Sequence, residues 1–286
     1  MSPPAPLSTA KLAFIGGGNM AGAIIGGLLA RGVATTNISV SEPWEVNRNK
    51  MAALGVNTTT VNGDLAGADL VVISVKPQVA QSACQDLAAA WSAADKKSDK
   101  LPLVVSIAAG ITIDSLRAWS TTTDGRVPHV VRVMPNTPAL VGEGASGLYA
   151  GTDITEEERA LATQMLESVS KATEWVDRED LLDVVTGLSG SGPAYFFAMV
   201  EHLITSATAL GLPAEQAARL AKQTCLGAGK MLVESSEEAS QLRKNVTSPN
   251  GTTHAALVSF EGSGFEAIIA KAVDAATKRA TELGKN

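Results

Sequence analysis

Residues 11–32 read KLAFIGGGNMAGAIIGGLLARG, and the fold turns on this stretch. Residues 12–15 are an apolar run of strand length, after which Gly16, Gly18 and Ala21 fall in the pattern G-x-G-x-x-A. Met20, Ile24 and Leu28, with Ile25 and Leu29 beside them, then stripe one face of a helix. The helix ends at Arg31 and Gly32, where glycine can take the left-handed cap. The order is strand, tight turn, helix. A turn poor in side chains lets a phosphate approach the first N–H groups of the helix, where the helix dipole also favours negative charge. Gly16 makes the turn, Gly18 permits the close approach, and Ala21 lets helix pack tightly on strand. That is the fingerprint of a dinucleotide-binding unit. A Gly-rich turn in an unrelated α/β protein is the alternative, and the flanking strand and helix argue against it.

Working outward, a chain of 286 residues exceeds one ordinary core of about 100–200 residues and implies two domains. Hydrophobic residues make up 45% and charged residues 18%, the balance of a globular protein with a large core. A net charge of −6 argues against nucleic acid or an anionic membrane as partner. No run reaches the roughly 18 apolar residues of a membrane span. Cys84 and Cys225 lie far apart and suit neither a disulfide framework nor a metal site, which points to the reducing cytoplasm. His129, His202 and His254 are scattered, so no metal is expected. The opening MSPPAPLSTA has three prolines and no cation, unlike a secretory or mitochondrial signal, and reads as a disordered tail over residues 1–10.

Further strands follow in order. Residues 37–41 (NISVS) read as the second strand, ending in Ser41 with Glu42 next, about 20 residues after the glycine turn, where an acidic side chain accepts hydrogen bonds from the adenosine ribose and favours NAD. A 2′-phosphate would be repelled there unless an arginine stood near. Arg48, on the helix expected over residues 44–54, is the closest one. Residues 56–61 lead to Asn62, and LVVISVKP (residues 70–77) is a buried parallel strand whose end puts Lys76 at the sheet edge before Pro77. After an Ala-rich helix over residues 80–94 and the solvated loop KKSDK, LVVSIAAG (residues 103–110) closes in Ala108 and Ala109, small enough for a ring to stack. Residues 127–133, 145–149 and 172–176 complete about eight strands. MPNTP (residues 134–138) forms an extended turn and a helix spans residues 155–169. Strands alternating with helices predict a doubly wound, mostly parallel α/β sheet over residues 11–177.

From residue 178 to 286 the periodicity is helical throughout, with helices over 193–210, 213–234 and 265–283. Their Ala- and Gly-rich stripes suit packing against a second chain. GLSGSGPAY (residues 187–195) and VTSPNGTT (residues 246–253) both lead into helices and offer backbone N–H groups to a small carboxylate; ordinary capping loops are the alternative.

Six blocks, FIGGGNMAGAI, SVKP, SIAAG, MPNTPA, GLSGSGPAY and VTSPNGTT, run in this order across nearly the whole chain, which closely resembles the pyrroline-5-carboxylate reductases of proline biosynthesis. The resemblance implies a Rossmann-type domain and a helical domain that dimerises by interlocking. It also implies dimers that often build a decamer, and NADPH- or NADH-dependent reduction of a cyclic imine, pyrroline-5-carboxylate. Carried over block by block, Gly16, Gly17, Gly18, Asn19, Met20 and Ala21 hold the pyrophosphate. Asn62, Ser74, Val75, Lys76 and Pro77 line the cofactor, and Ile107, Ala108 and Ala109 lie beside its nicotinamide end; Ser41 and Glu42 join the cofactor residues by their place at the end of the second strand. Ser248, Asn250, Gly251, Thr252 and Thr253 form the loop that binds the substrate carboxylate through backbone amides, the last three contributing theirs. Thr253 also sits beside the ring nitrogen and is the candidate catalytic residue. Two positions depart from the family pattern: Asn250 stands where glycine is usual, and Glu42 where NADPH users often have a smaller polar residue.

Hydride delivery to the imine carbon needs a nitrogen that is protonated or accepts a hydrogen bond. The matched motifs force no His, Lys or carboxylate on the site, so orientation in a water-poor pocket carries most of the rate, with the Thr253 hydroxyl as the best donor. Two other readings compete. A β-hydroxyacid dehydrogenase or tailoring imine reductase shares the architecture, and the former needs a catalytic lysine, for which Lys222 and Lys230 are helical candidates. A non-catalytic nucleotide sensor would not need VTSPNGTT.

Overall fold

LAFI, LVVI and LVVS are continuous apolar runs because their strands are covered on both faces, as the interior of a parallel sheet requires. In the computed structural model, which describes residues 7–94 and 100–284, they are the three central strands β1 (Leu12–Ile15), β4 (Leu70–Ile73) and β5 (Leu103–Ser106). Around them stand β2 (Ile38–Ser41), β3 (Asn57–Thr59), β6 (Val130–Met134), β7 (Gly144–Ala150) and β8 (Ser170–Trp175), in the order β3-β2-β1-β4-β5-β6-β7-β8. All pairs are parallel except β6 with β7. The eight expected strands are all present, and the sheet is the mostly parallel one expected.

Alternate residues of each strand feed two separate cores. Leu12, Phe14, Leu70, Val72 and Val105 pack with α1 (Asn19–Ala30), α5 (Glu156–Glu167) and Met51 of α2 (Glu45–Ala53). Ala13, Ile15, Val71, Ile73 and Val104 pack with α3 (Pro77–Ala93) and α4 (Ile113–Ser120) on the other face. The chain leaves β1 toward β2 and β3, then returns to β4 on the far side of β1, so the strand order reverses between β1 and β4 and opens a crevice there.

The elements end earlier than the apolar runs suggest. β4 stops at Ile73 and β5 at Ser106, because the residues that follow turn off the sheet edge; β6 begins at Val130 and not at Val127. MPNTP is extended only through Asn136, after which Thr137–Val141 is a 3-10 turn. Part of the presumed tail is structured: Leu7 is fully buried and joins the β1 core. Residues 1–6 and most of KKSDK lie outside the described residues.

No strand follows β8 among the described residues. The helices are α6 (Leu181–Val185), a π-turn (Thr186–Gly190), α7 (Gly192–Ala209), α8 (Ala214–Glu234), α9 (Ala239–Asn245), α10 (Thr252–Gly262) and α11 (Phe265–Leu283). The chain divides into two compact units, Met1–Gly190 with Ala276–Asn286, and Ser191–Ala275. The boundary falls after α6 and not at residue 177, because α6 packs on β6 and β7, and the final turns of α11 return to the first unit.

Candidate active site

The glycine turn is forced by its surroundings. Gly16 has φ +99°, and a Cβ there would lie 2.8 Å from the Ser74 carbonyl oxygen and 2.9 Å from Val75 Cγ1. Its N–H donates to the Ser41 carbonyl (2.8 Å), and the Ser74 hydroxyl donates to the carbonyls of Ile15 (2.9 Å) and Gly16 (2.8 Å). The ends of β1, β2 and β4 are thus tied into one rim. Gly18 precedes α1 with open space around the position of a Cβ. No side chain caps α1, and Gly22 is the first N–H to close on Gly18 (2.9 Å), so the amides of residues 19–21 remain for a ligand. A bare backbone, outward amides and the positive end of a 12-residue helix fit a dinucleotide pyrophosphate. Ala21 is buried and Met20 packs against the core, whereas Asn19 is exposed.

Glu42 is placed at the end of β2 as expected, but its carboxylate is engaged. Oε2 accepts from the Gly17 N–H (2.8 Å) and Oε1 from the Trp44 N–H (2.9 Å), and the residue is only 8% exposed. It braces the glycine turn from below. Arg48 comes to the same strand end, its Nη1 donating to the carbonyls of Glu42 and Pro43, each at 3.0 Å. Asn62 accepts from the Ser41 hydroxyl (2.7 Å) and donates to Asp86 of α3 (2.9 Å). Lys76 is exposed immediately before α3, which Pro77 opens at its first position. Beyond β5, Ile107 donates to the Ile73 carbonyl (3.1 Å) and Ala108 to the Ser106 hydroxyl (3.3 Å). All these cofactor candidates therefore line the carboxyl edge of one parallel sheet.

In the second unit the loop VTSPNGTT bends through Asn250, whose φ of 59° is left-handed. Asparagine tolerates that conformation better than other non-glycine residues. Gly251 precedes α10, and a Cβ there would collide with the Ser248 hydroxyl. Its N–H closes on the Ser248 carbonyl (3.0 Å), so of the three amides expected to face a carboxylate, that of Gly251 is already satisfied. No side chain caps α10, and its first closing bond runs from Ala255 to Gly251 (3.1 Å), leaving the amides of Thr252 and Thr253. The other candidate loop, GLSGSGPAY, leads into α7 with Pro193 in its first turn, as expected, but its first residues are already helical. The chain passes from α6 through the π-turn into α7, with Ser191 itself in helical conformation.

Two features escaped the sequence reading. Asn136 of MPNTP is a brace, receiving the Ala145 N–H (2.9 Å) and donating to the Ser189 carbonyl (3.1 Å). Arg132, 7% exposed, pairs with Glu179 (2.7 Å), which also accepts from the Ile113 N–H (2.7 Å) at the start of α4; an arginine inside the apolar run VVRVM was the one signal. Arg48, named from the sequence as the nearest arginine, is held at the strand end by its bonds to the Glu42 and Pro43 carbonyls, a reach that spacing alone does not show. The competing lysines are surface groups: Lys222 is exposed and Lys230 pairs with Glu234 one turn on (3.5 Å).

Comparison with known proteins places this geometry. Residues 179–283 match the family model described as pyrroline-5-carboxylate reductase dimerisation, and residues 11–110 match that described as NADP oxidoreductase coenzyme F420-dependent. A pyrroline-5-carboxylate reductase of Pseudomonas aeruginosa is 46% identical over 281 residues, covering 98% of both chains. The solved structure of a pyrroline-5-carboxylate reductase from Coxiella burnetii superposes with TM-score 0.88 at 37% identity, covering 97% of this chain and 100% of that one. The Plasmodium falciparum pyrroline carboxylate reductase, solved with NADP bound, gives 0.81 at 28% identity over 97% and 99%. With likeness at this level over nearly every residue, from the glycine turn to the final helix, the chain belongs to the pyrroline-5-carboxylate reductase family.

Proposed function

We propose that the chain reduces 1-pyrroline-5-carboxylate to L-proline with NADPH or NADH. The observation that carries this reading is that one chain, 46% identical to a reductase of that name, holds in its first unit a glycine-forced phosphate turn and in its second an uncapped helix start at Thr252 and Thr253. The reduced nicotinamide supplies a hydride when bound. Everything else falls to the protein. The amides of residues 19–21 hold the pyrophosphate, Ser74, Val75, Lys76 and Pro77 line the cofactor, and Ile107, Ala108 and Ala109 fix its reactive end. Thr252 and Thr253 hold the substrate carboxylate by their N–H groups, and the Thr253 hydroxyl donates to the ring nitrogen as C5 accepts the hydride. One imine, one hydride and one proton give the secondary amine. Both cofactors suit the β2 end: the Glu42 carboxylate favours ribose hydroxyls, and the Arg48 guanidinium offers the cation a 2′-phosphate needs.

Oxidation of NADPH and NADH followed with pyrroline-5-carboxylate and with its six-membered homologue tests the reading. Turnover confined to the five-membered ring is expected. Turnover of only the larger ring, or of a β-hydroxyacid, would replace it.

The second unit implies a homodimer. Of residues Ser191–Ala275 only Gly192 and Ala217 are buried, while Phe196, Phe197 and Val233 are 62%, 68% and 81% exposed, a surface no monomer of this size keeps in water. Light scattering should give a dimer, or a decamer as five dimers. A monomer at micromolar concentration would refute this. Cys84 and Cys225 are free thiols, and no helix of the described residues is long and apolar enough to cross a membrane; a cytoplasmic enzyme accords with both.

A further inference from the structure

The loop after β5 is gripped from a direction the reaction does not require. Gly110, at φ +80°, meets the last turn of α11 backbone to backbone: a Cβ on Gly110 would lie 3.0 Å from the Gly284 nitrogen, and one on Gly284 would lie 2.6 Å from the Gly110 carbonyl oxygen. That turn is itself pinned. Ala280 is buried at 4% exposure, the Gly284 N–H closes on the Ala280 carbonyl (3.2 Å), and the Thr281 hydroxyl donates to Asp183 of α6 (2.8 Å). On the far side of the same loop, Glu179, two residues before α6, receives the Ile113 N–H (2.7 Å). The short loop over residues 107–112 is thus fixed at its start by β4, at its end by Glu179 and in the middle by the end of α11.

We propose that Thr281 and Gly284 are positioning residues for the reduction: the end of α11 clamps Gly110 and so sets where Ile107, Ala108 and Ala109 present the nicotinamide. The proposal rests on the reading of those three residues as the nicotinamide end of the cofactor site. None of the clamp residues touches the reacting atoms; they act through the loop backbone. Ordinary contact begins near 3.4 Å, so a methyl at Gly284 must displace the Gly110 carbonyl by about 0.8 Å, and misplacement on this scale costs up to about 100-fold in a hydride-transfer geometry.

The test uses the full-length protein as Gly284→Ala, Thr281→Val and Thr281→Ser. Gly284→Ala should lower kcat about 10- to 100-fold while the NADPH Kd, read from nicotinamide fluorescence, changes less than threefold, because most of the cofactor is held at the glycine turn. Thr281→Val should lower kcat in the same manner, and Thr281→Ser, which keeps the hydroxyl, should restore it. Amide exchange in the cofactor-free protein should quicken over residues 107–112 in Gly284→Ala and Thr281→Val and stay at the wild-type rate in Thr281→Ser. Wild-type kcat and unchanged exchange in both disruptive variants would overturn the clamp, as would parallel losses in kcat, Kd and Tm that Thr281→Ser does not repair. The cofactor-free exchange reports the clamp alone. Failure of NADPH to protect residues 107–110 in the wild type would instead remove the cofactor reading of that loop.

Discussion

Replacing Glu42 by glutamine keeps the side-chain shape and removes one charge, and two separable effects should follow. The carboxylate receives the Gly17 and Trp44 N–H groups at 2.8 and 2.9 Å while 8% exposed. Glutamine has one acceptor to offer, so its amide nitrogen must face one of those donors. Hydrogen bonds to a charged group contribute about 1.5–3 kcal/mol each. Losing one and weakening the other should cost about 2–3 kcal/mol, or roughly 4–12 °C in Tm at about 2–4 °C per kcal/mol for a chain of this class. The second effect concerns the cofactor. Two like charges about 4 Å apart cost roughly 1–4 kcal/mol between bulk water and a protein surface, so removing the carboxylate should shift the ratio of kcat/KM for NADPH over NADH upward by about tenfold or more. Thermal melts and initial rates with both cofactors on the same preparation read the two effects. A Tm within about 1 °C of wild type would show that the carboxylate does not brace the turn. An unchanged cofactor ratio would show that it does not face the ribose.

Thr253→Ala and Thr253→Val should retain fold and cofactor affinity while kcat falls about 10- to 1,000-fold, more than substrate binding weakens, as expected for a donor whose bond strengthens in the transition state; full turnover in both would assign the proton to water. Gly27→Ala should lower Tm although alanine is the better helix former, because its Cβ would sit 2.5 Å from both the Ser168 carbonyl oxygen and Val169 Cγ1. Overpacking of about 1–3 kcal/mol then outweighs the gain of about 1 kcal/mol in propensity, and a higher Tm would contradict the close α1 contact. Burial works to raise the Glu158 carboxyl, but the Thr155 N–H, His129 and Lys100 outweigh it and hold the group below its usual range. Its stabilisation is therefore complete above the ordinary glutamate value of about 4.3 and is lost as pH falls through the lowered folded value. In urea melts, Glu158→Gln should be less stable than wild type at pH 7, with the difference shrinking toward pH 3; a constant difference would refute the linkage.

The centre of the sheet was legible because β1, β4 and β5 are covered on both faces and so read as unbroken apolar runs, and the glycine turn because Gly16 can be nothing else at φ +99°. Short or unstriped helices were not: α4 and α9 span only 8 and 7 residues, too few turns for a period to show, and α10 has no one-sided apolar stripe. GLSGSGPAY looked like a loop because of its glycines, yet Gly190 lies against Met134, where a Cβ would come within 2.6 Å of its Cε, and the chain stays helical through a π-turn. Residues named for the cofactor do share one sheet edge, which follows from parallel topology. The engagement of Glu42, the approach of Arg48 and the buried Arg132–Glu179 pair depend on side-chain contacts between residues distant or differently directed in the chain, and no spacing rule encodes them.

The fate of one hydride distinguishes imine reduction from every other reaction of this fold. Reaction of pyrroline-5-carboxylate with NADPH or NADH dideuterated at the nicotinamide C4 should yield proline with one deuterium at C5 per nicotinamide oxidised and a nitrogen proton drawn from solvent. Proline without that label, or nicotinamide oxidation with no proline formed, would contradict it.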